Sequence, residues 1–500
     1  MRRRPRIAVA LTVLALAAAG CTDGDPTVEA EATTVPPASP PTTSTPATSP
    51  DDPLGGFTPA PFDWRPCMGG AECASLTVPI DWDDPAGGTI DLAVARQEAR
   101  DPDNRIGALV FNLGGPGATG IDSVPGGFQF SPDLKDRFDI VSWDPRGIGA
   151  SAALRCGDAA DPFVRIDSDP DTPEEQAALD AGAQAVADEC AQEDGALLAH
   201  MGTDDVARDL EAIRRALAEP MAYMGFSYGT FIGLRYAELF PGAARSLVLD
   251  GVVDPEDGLP DLLRGQTDAF ERVIGDVFAG CPAGAEGCPD GGAAAAYDRV
   301  AAGVEQQPLP AGGRSVLGPA DLATGTIIVA YAPSLWAPYY DALVAADNGD
   351  GSGILELADI YRSQIEFTSY QAVSCLDSAH PAGGGEWAAF AAELEGISSR
   401  FGAAIANEML PCAFWPVPPH DVTGPVTADG SPPILVIGTT GDPATPVEQA
   451  ERVAAQLAEG HLLIYDGEGH TAYGESDCID DAVAAYLIDG TLPAEGTVCR

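Results

Sequence analysis

One ten-residue segment constrains the fold of this chain more than any other. Met221–Thr230 reads MAYMGFSYGT, a short apolar stretch that runs into a G-x-S-x-G pentapeptide centred on Ser227. A helix-like run over residues 231–240 follows directly and ends at Pro241 and Gly242. A strand, a tight turn and a helix in this order predict a nucleophile elbow, in which a strained turn lifts the serine hydroxyl above the edge of a sheet.

Further segments place this elbow in a larger sheet. Continuous apolar runs cover residues 107–117, 138–144, 244–250, 433–438 and 461–465. Helical patterns lie among these runs, at residues 173–192, 204–217 and 447–457. Continuous apolar runs are typical of strands buried on both faces, and their alternation with helices predicts an α/β fold with a mostly parallel central sheet and helices on both faces. Upstream, residues 74–82 and 89–98 predict a β-hairpin.

The alternation of strands and helices is interrupted once. Residues 256–427 are mainly helix-like, broken by glycine and proline, and carry four cysteines. We interpret this segment as an inserted, mainly helical cap domain that covers the site. The α/β core would then comprise residues 57–255 and 428–500.

The first 20 residues have the organisation of a signal peptide. A basic start precedes a 13-residue apolar stretch, Ile7–Ala19, which is too short to span a bilayer. The box AAGC ends at Cys21 and predicts a lipoprotein-type signal with a lipidated Cys21, although cleavage nearby with plain secretion is the alternative. Of residues 22–50, 18 are Pro, Ser or Thr, which predicts a disordered tether over residues 21–56.

Apart from Cys21 the chain has ten cysteines, an even number that predicts five disulfides formed in an oxidising compartment. The sequence does not fix their pairing. Pairing of nearest neighbours gives the hypothesis Cys67–Cys73, Cys156–Cys190, Cys281–Cys288, Cys375–Cys412 and Cys478–Cys499. Zinc binding is the alternative, but no C-x-x-C or Cys/His cluster has the required spacing, so we expect no metal.

The charge of the chain restricts its partners. It has 76 acidic and 26 basic residues, a formal net charge of −50. Nucleic-acid binding needs a basic patch, so we exclude it and interpret the acidity as a solvated surface that keeps an exported protein soluble. We expect a monomer without a cofactor, located outside the cytoplasm and in contact with a membrane only through a lipid on Cys21.

The chemistry of a serine nucleophile requires a neighbouring base, and the base requires an orienting acid. His470 lies in a G-x-G-H turn just after the last predicted strand, where an α/β-hydrolase fold places its base. Asp442 follows the preceding strand and completes the order Ser…Asp…His, while Asp254 is the alternative acid. We interpret the other histidines as structural or surface residues: His200, His380, His420 and His461.

The G-G-P-G turn over residues 114–117 provides a second catalytic element. Such a turn leaves backbone N–H groups uncovered, as an oxyanion hole requires. We expect the N–H groups of Tyr228 and Gly115 to bind the oxyanion.

Five ordered motifs add a family resemblance. They are NLGGPGATG at 112–120, WDPRGIGAS at 143–151, GFSYGT at 225–230, GDPATP at 441–446 and GEGH at 467–470. Together they resemble the secreted tripeptidyl-aminopeptidase-like branch of the α/β-hydrolases, which is related to proline iminopeptidases. The resemblance covers about residues 60–500 and implies a serine exopeptidase that releases short peptides, with tripeptides expected, from free N-termini through an acyl-enzyme. The spacing alone indicates only a serine hydrolase.

An exopeptidase must recognise the free α-ammonium of its peptide substrate. A partly desolvated carboxylate in the cap is the physical means that we expect. Our candidate is Asp377, because it lies two residues after Cys375 and a disulfide to Cys412 would hold it rigid. The Cys-x-Asp stretch also resembles one in the cap of the family. A helix cap or a solvent-facing position is the alternative for Asp377.

Two other functions remain open from the sequence. An esterase or lipase that acts on cell-envelope lipids or small esters would use the same site, because the fold hosts both chemistries. A non-catalytic binding lipoprotein is disfavoured by the complete set of catalytic residues.

Overall fold

The structure is a computed structural model that describes residues 52–313 and 315–500. The predicted signal peptide, Cys21 and most of the predicted tether lie outside the described residues. Packed structure begins before residue 57, the expected start of the core. Leu54 is fully buried, and Asp52 forms an ion pair with Arg215 at 2.8 Å.

A ten-stranded mixed sheet forms the centre of the protein. Its order is β1-β2-β3-β5-β4-β6-β7-β10-β11-β12, with antiparallel pairing from β1 to β5 and parallel pairing from β5 to β12. The strands of the described residues are β1 (Arg65–Pro66), β2 (Glu72–Pro79), β3 (Thr89–Gln97), β4 (Gly107–Asn112), β5 (Phe138–Trp143), β6 (Met221–Phe226), β7 (Ser246–Asp250), β8 (Leu309–Pro310), β9 (Val316–Leu317), β10 (Ile434–Gly441), β11 (Gly460–Glu468) and β12 (Val498–Cys499). Strands β8 and β9 form a separate hairpin.

Helices flank the sheet and fill the segment between β7 and β10. The α-helices are α1 (Pro132–Arg137), α2 (Ala160–Phe163), α3 (Pro173–Leu198), α4 (Thr203–Leu217), α5 (Tyr228–Leu239), α6 (Leu259–Ala279), α7 (Ala293–Gln306), α8 (Pro319–Ile327), α9 (Trp336–Asp347), α10 (Ser352–Ser363), α11 (Phe367–Asp377), α12 (Gly383–Glu395), α13 (Gly402–Glu408), α14 (Val447–Gln456) and α15 (Asp477–Asp489). In the ranges that the structure describes, none of the helices has the length and apolarity needed to cross a membrane.

Strand β4 shows why the apolar runs form the interior of the sheet. All six of its residues are buried. Val110 packs in the apolar cluster on one face of the sheet, and Leu109 and Phe111 pack in the cluster on the other. Parallel pairing brings the carboxyl ends of β4, β6, β7 and β10 to one edge, where the predicted catalytic loops begin. The predicted fold class, an α/β-hydrolase fold, is confirmed.

The inserted helices α6–α13 reach this edge through hydrogen bonds to its loops. Glu366, between α10 and α11, donates its N–H to the carbonyl oxygen of Gly117 at 3.0 Å. Ser369 of α11 donates its hydroxyl to the carbonyl oxygen of Gly147 at 2.8 Å. The insertion therefore lies over the carboxyl edge of the sheet.

All five predicted disulfides are present with the predicted pairing. Each of the five joins two residues of the core or two residues of the insertion, over sequence separations of 6 to 37. Cys156–Cys190 has a sequence separation of 34 and attaches the loop after β5 to α3. The disulfides therefore stabilise separate parts of the chain.

We predict that removal of Cys156–Cys190 by a double Cys→Ser substitution lowers the free energy of unfolding by about 3–4 kcal/mol, because the cross-link restricts the unfolded chain. Denaturant unfolding of both proteins under non-reducing conditions measures the difference. Thiol titration of the denatured, exported protein should detect no free cysteine other than Cys21. Two or more further thiols, or crossed pairs in a peptide map, would contradict the pairing.

Candidate active site

Ser227 occupies a strained turn between β6 and α5. Its backbone has φ 53° and ψ −126°, a conformation that non-glycine residues adopt only under constraint. A Cβ at Gly225 would lie 2.2 Å from the carbonyl oxygen of Gly229, and a Cβ at Gly229 would lie 2.6 Å from that of Asn112. The turn therefore requires glycine at both positions. The Ser227 N–H donates to the carbonyl oxygen of Asp250 at 2.9 Å.

The predicted oxyanion donors lie beside this turn. A Cβ at Gly114 would lie 2.9 Å from the nitrogen of Tyr228, so the G-G-P-G turn packs against the start of α5. The Gly114 N–H donates to Asn112 Oδ1 at 2.9 Å and is not available to a ligand. Among the described residues, the N–H groups of Gly115 and Tyr228 have no hydrogen-bond acceptor. Both can therefore donate to an oxyanion.

The structure brings His470 and Asp442 into direct contact. His470 Nδ1 lies 2.9 Å from each carboxylate oxygen of Asp442. Asp442 is fully buried and also accepts hydrogen bonds from the N–H groups of Ala444 and Thr445 at 2.9 and 2.8 Å. The His470 N–H donates to the carbonyl oxygen of Tyr331 at 2.9 Å, and the two rings meet edge to face with centroids 5.4 Å apart. These contacts fix the orientation of the imidazole.

Ser227 and His470 both lie beside the carboxyl end of β7. A Cβ at Gly251 would lie 3.3 Å from His470 Cε1, and the preceding residue, Asp250, accepts the N–H of Ser227. In the part of the chain that the structure describes, no hydrogen bond joins Ser227 Oγ to the imidazole. Catalytic hydrogen bonds are often long in free enzymes and shorten when substrate binds.

Two opposing effects determine the pKa of His470. Burial disfavours the imidazolium, whereas the charge of the adjacent Asp442 and its hydrogen bond, together with the charge of Asp250, favour it. The net result is a pKa raised above the ordinary value. A base with a raised pKa accepts the serine proton more readily, but its neutral form becomes scarce as the pH falls.

Asp254, the alternative acid, has other partners. Its buried carboxylate accepts from Arg452 Nε at 2.5 Å and from Gln456 Nε2 at 3.1 Å, both in α14. Asp442 is thus the carboxylate that contacts the base. The other four histidines make no contact with Asp442 in the described residues: His200, His380, His420 and His461.

Comparison with known proteins identifies the family. Residues 107–283 match a family model described as "alpha/beta hydrolase fold", and residues 398–499 match one described as "TAP-like protein". The chain is 36% identical over 479 residues to Serine protease Hip1 of Mycobacterium tuberculosis strain H37Rv, covering 88% of this chain and 91% of that protein. The chain belongs to the α/β-hydrolase family.

Two further relatives of this α/β-hydrolase carry different names. The chain is 32% identical over 458 residues to Carboxylesterase B of the same M. tuberculosis strain, and the match covers 86% of each chain. It is 31% identical over 473 residues to Tripeptidyl aminopeptidase of Streptomyces lividans, covering 88% of this chain and 87% of the relative. The relatives confirm the resemblance to the tripeptidyl-aminopeptidase-like branch and support a serine peptidase.

Asp377 of the α/β-hydrolase does not face an open site. It is 6% exposed; one carboxylate oxygen accepts the Thr203 N–H at 2.8 Å and the other accepts the Thr203 hydroxyl at 2.5 Å. Thr203 begins α4, so Asp377 caps this helix, which is the alternative that the sequence left open. Burial raises the pKa of Asp377 to about 7. The geometry does not support the expected ammonium anchor at this residue.

Sequence reasoning missed three residues that touch the base or its loop. Tyr331 of the insertion contacts His470, and Thr445 Oγ1 lies 3.4 Å from His470 Nδ1 and donates to Asp442 Oδ2 at 3.0 Å. Asp250 accepts hydrogen bonds from backbone N–H groups just after His470. Of these three residues, only Asp250 could have been found from a local sequence pattern, because it is a carboxylate at the end of a buried strand. Asp442 has a similar position, directly after the last residue of β10.

We predict that Ser227→Ala lowers kcat by about 10⁴–10⁶ without unfolding the protein, because it removes the nucleophile. A fluorophosphonate probe followed by peptide mapping checks the assignment. The label should be found on Ser227 in the parent protein and be absent from the variant. Labelling of the variant would exclude Ser227 as the nucleophile.

We predict that Asp442→Asn lowers kcat by on the order of 10⁴, because an amide stabilises the wrong imidazole tautomer. Asp254→Asn is the matched control, since it also neutralises a buried carboxylate near the end of a neighbouring strand. It should lower the melting temperature and have much less effect on kcat. A larger loss of kcat in Asp254→Asn would reverse the assignment of the acid.

Proposed function

We propose that this hydrolase is an exported serine exopeptidase that releases tripeptides from the free N-termini of peptides. Ser227 Oγ attacks the carbonyl carbon of the third residue while His470 accepts its proton. The N–H groups of Tyr228 and Gly115 bind the oxyanion, and Asp442 stabilises the imidazolium. His470 then gives the proton to the leaving amine, and water hydrolyses the acyl-enzyme.

The observation that carries the exopeptidase assignment is a carboxylate in the insertion, Glu408. It is partly buried at the end of α13, and it lines a cavity with Tyr361 and Phe367. Its carboxylate accepts the hydroxyl of Tyr361 at 3.1 Å. Within the described residues Glu408 forms no ion pair, and burial raises the pKa of Glu408 to about 7. The charge of Arg362 acts in the opposite direction, and a substrate ammonium in direct contact would add a second cation that favours the ionised form.

Aromatic side chains connect this carboxylate to the base. The ring of Tyr331 lies 5.4 Å from that of His470 and 6.3 Å from that of Tyr361. Phe367 lies 5.9 Å from Tyr361, and such ring faces can also hold a cation. Release of tripeptides is supported by the relative of Streptomyces lividans that is named Tripeptidyl aminopeptidase.

The rest of the cavity lining indicates which N-terminal residues fit. It is largely apolar and includes Phe163, Val164, Ile166, Leu179 and Ile327. Arg362 also lines the cavity, but its guanidinium is paired with Asp321 at 2.6 Å. A largely apolar lining beside Glu408 favours peptides with a free ammonium and an apolar first side chain.

An esterase is the second candidate, because one relative is named Carboxylesterase B. The same nucleophile, base and oxyanion donors would cleave an ester, but an ester of a fatty acid has no ammonium for Glu408. Parallel assays with tripeptidyl anilides, aminoacyl anilides and p-nitrophenyl esters separate the two functions. A higher kcat/KM for the esters would favour the esterase.

The export of the enzyme is part of the same proposal. Five disulfides are typical of proteins that fold outside the cytoplasm. We propose that the enzyme acts as a monomer, either secreted or held to the cell membrane by a lipid on Cys21. Its partners would be peptides with free N-termini, and we expect no nucleic acid among them.

We predict that Glu408→Gln raises KM for free-amine tripeptidyl anilides by about 10-fold or more, because it removes a charge worth roughly 1.5–3 kcal/mol to a hydrogen-bonded ammonium. The KM for N-acetylated substrates should hardly change. Asp377→Asn is the matched control from the same insertion, and it should affect blocked and free substrates equally. If instead Asp377→Asn discriminates between them and Glu408→Gln does not, the anchor belongs at Asp377.

A further inference from the structure

One residue, Asp250, contacts both the nucleophile and the loop that carries the base. It is the last residue of β7 and is fully buried. Its carbonyl oxygen accepts the Ser227 N–H at 2.9 Å. Its carboxylate accepts the N–H of Ala472 at 3.0 Å and that of Tyr473 at 2.8 Å. The backbone of Asp250 thus holds the elbow, and its side chain holds the segment just after His470.

We propose that Asp250 is a positioning residue that fixes His470 relative to Ser227. This inference rests on the proposed catalytic roles of these two residues. The base loop, residues 469–473, needs such support because Thr471 adopts φ 72°, which is unfavourable for a β-branched residue. Asp442 accepts the Thr471 N–H at 3.2 Å, and Asp250 accepts the next two N–H groups. Two carboxylates therefore hold three successive peptide groups of the loop.

The charge of Asp250 also acts on the base. The titratable groups that face His470 are Asp442, Asp250 and the ring of Tyr331. Asp442 is the larger influence, and Asp250 adds to it in raising the pKa of His470. Asp250 supplies this charge only where it is ionised, because burial outweighs the two backbone hydrogen bonds and raises the pKa of Asp250 to about 7. Its effect on His470 is therefore largest above that pH. Neutralising Asp250 should therefore lower the pKa of His470.

The test uses Asp250→Asn in the full-length, disulfide-bonded enzyme. An amide keeps the shape but not the charge, and its NH₂ cannot accept the second N–H. We expect kcat to fall on the order of 10²-fold, the effect of a displacement of about 1 Å in a reacting group. We also expect the acid limb of the kcat/KM profile to move to lower pH, because neutral His470 persists to lower pH.

Two further variants distinguish positioning from a general loss of stability. Asp250→Glu keeps the charge but displaces the carboxylate, so kcat should fall while the acid limb stays near its original pH. Asp254→Asn removes a buried carboxylate four residues away that bonds to Arg452 and not to the base loop. It should lower the melting temperature and leave the acid limb in place.

Three results would overturn the inference. The first is a folded Asp250→Asn enzyme with unchanged kcat and an unchanged acid limb. The second is a lower kcat without any shift of the limb, which would assign Asp250 a structural role alone. The third is failure of both Asp250 variants to fold, judged by near-ultraviolet circular dichroism. The proposed function fails separately, if the parent enzyme does not react with a fluorophosphonate at Ser227.

Discussion

The close approach of backbone segments at the nucleophile elbow is the constraint on which the rest of the structure depends. Gly225, Gly229 and Asn112 meet there at distances that leave no room for a side chain. The positive φ of Ser227 costs about 1–3 kcal/mol. It is supported by hydrogen bonds from Ser227 to Asp250 and from Thr230 to Ser227. These contacts join three neighbouring strands, β4, β6 and β7, and helix α5, so the position of the serine depends on the order of the strands.

Local sequence patterns were sufficient to predict the core because its strands are buried on both faces. The apolar runs of β4, β5 and β6 coincide closely with the observed strands. Asp442 and His470 could be paired from chain order alone, because adjacent parallel strands end at the same edge. In the structure, His470 Nδ1 lies 2.9 Å from Asp442 Oδ2. The nearest-neighbour pairing of the cysteines was also correct.

The contacts that the insertion makes with the site could not be predicted from the sequence, because they join residues that are distant in the chain. Tyr331 contacts His470, and Asp377 caps a helix that begins 174 residues earlier. Hydrophobic periodicity predicts which face of a helix is buried, but not which other element covers it. For this reason the sequence could predict that Asp377 is a desolvated carboxylate, but it could not identify Thr203 as its partner. No local sequence pattern pointed to Glu408.

Three carboxylates near the site, of which Asp250 and Asp377 are buried and Glu408 is partly buried, link its chemistry to the stability of the fold. Burial raises the pKa values of Asp250, Asp377 and Glu408 to about 7, whereas in an unfolded chain such groups titrate near 4. Between about pH 4 and 7 the folded protein therefore holds protons that the unfolded chain has released, and the contribution of these groups to stability falls as the pH rises through that window. The negative charge of Asp250, which binds the base loop, and that of Glu408, which would bind an ammonium, therefore form over the same pH range in which this stability is lost. Cys375–Cys412 encloses Asp377 and Glu408, so the disulfide restrains the segment in which two of these charges develop.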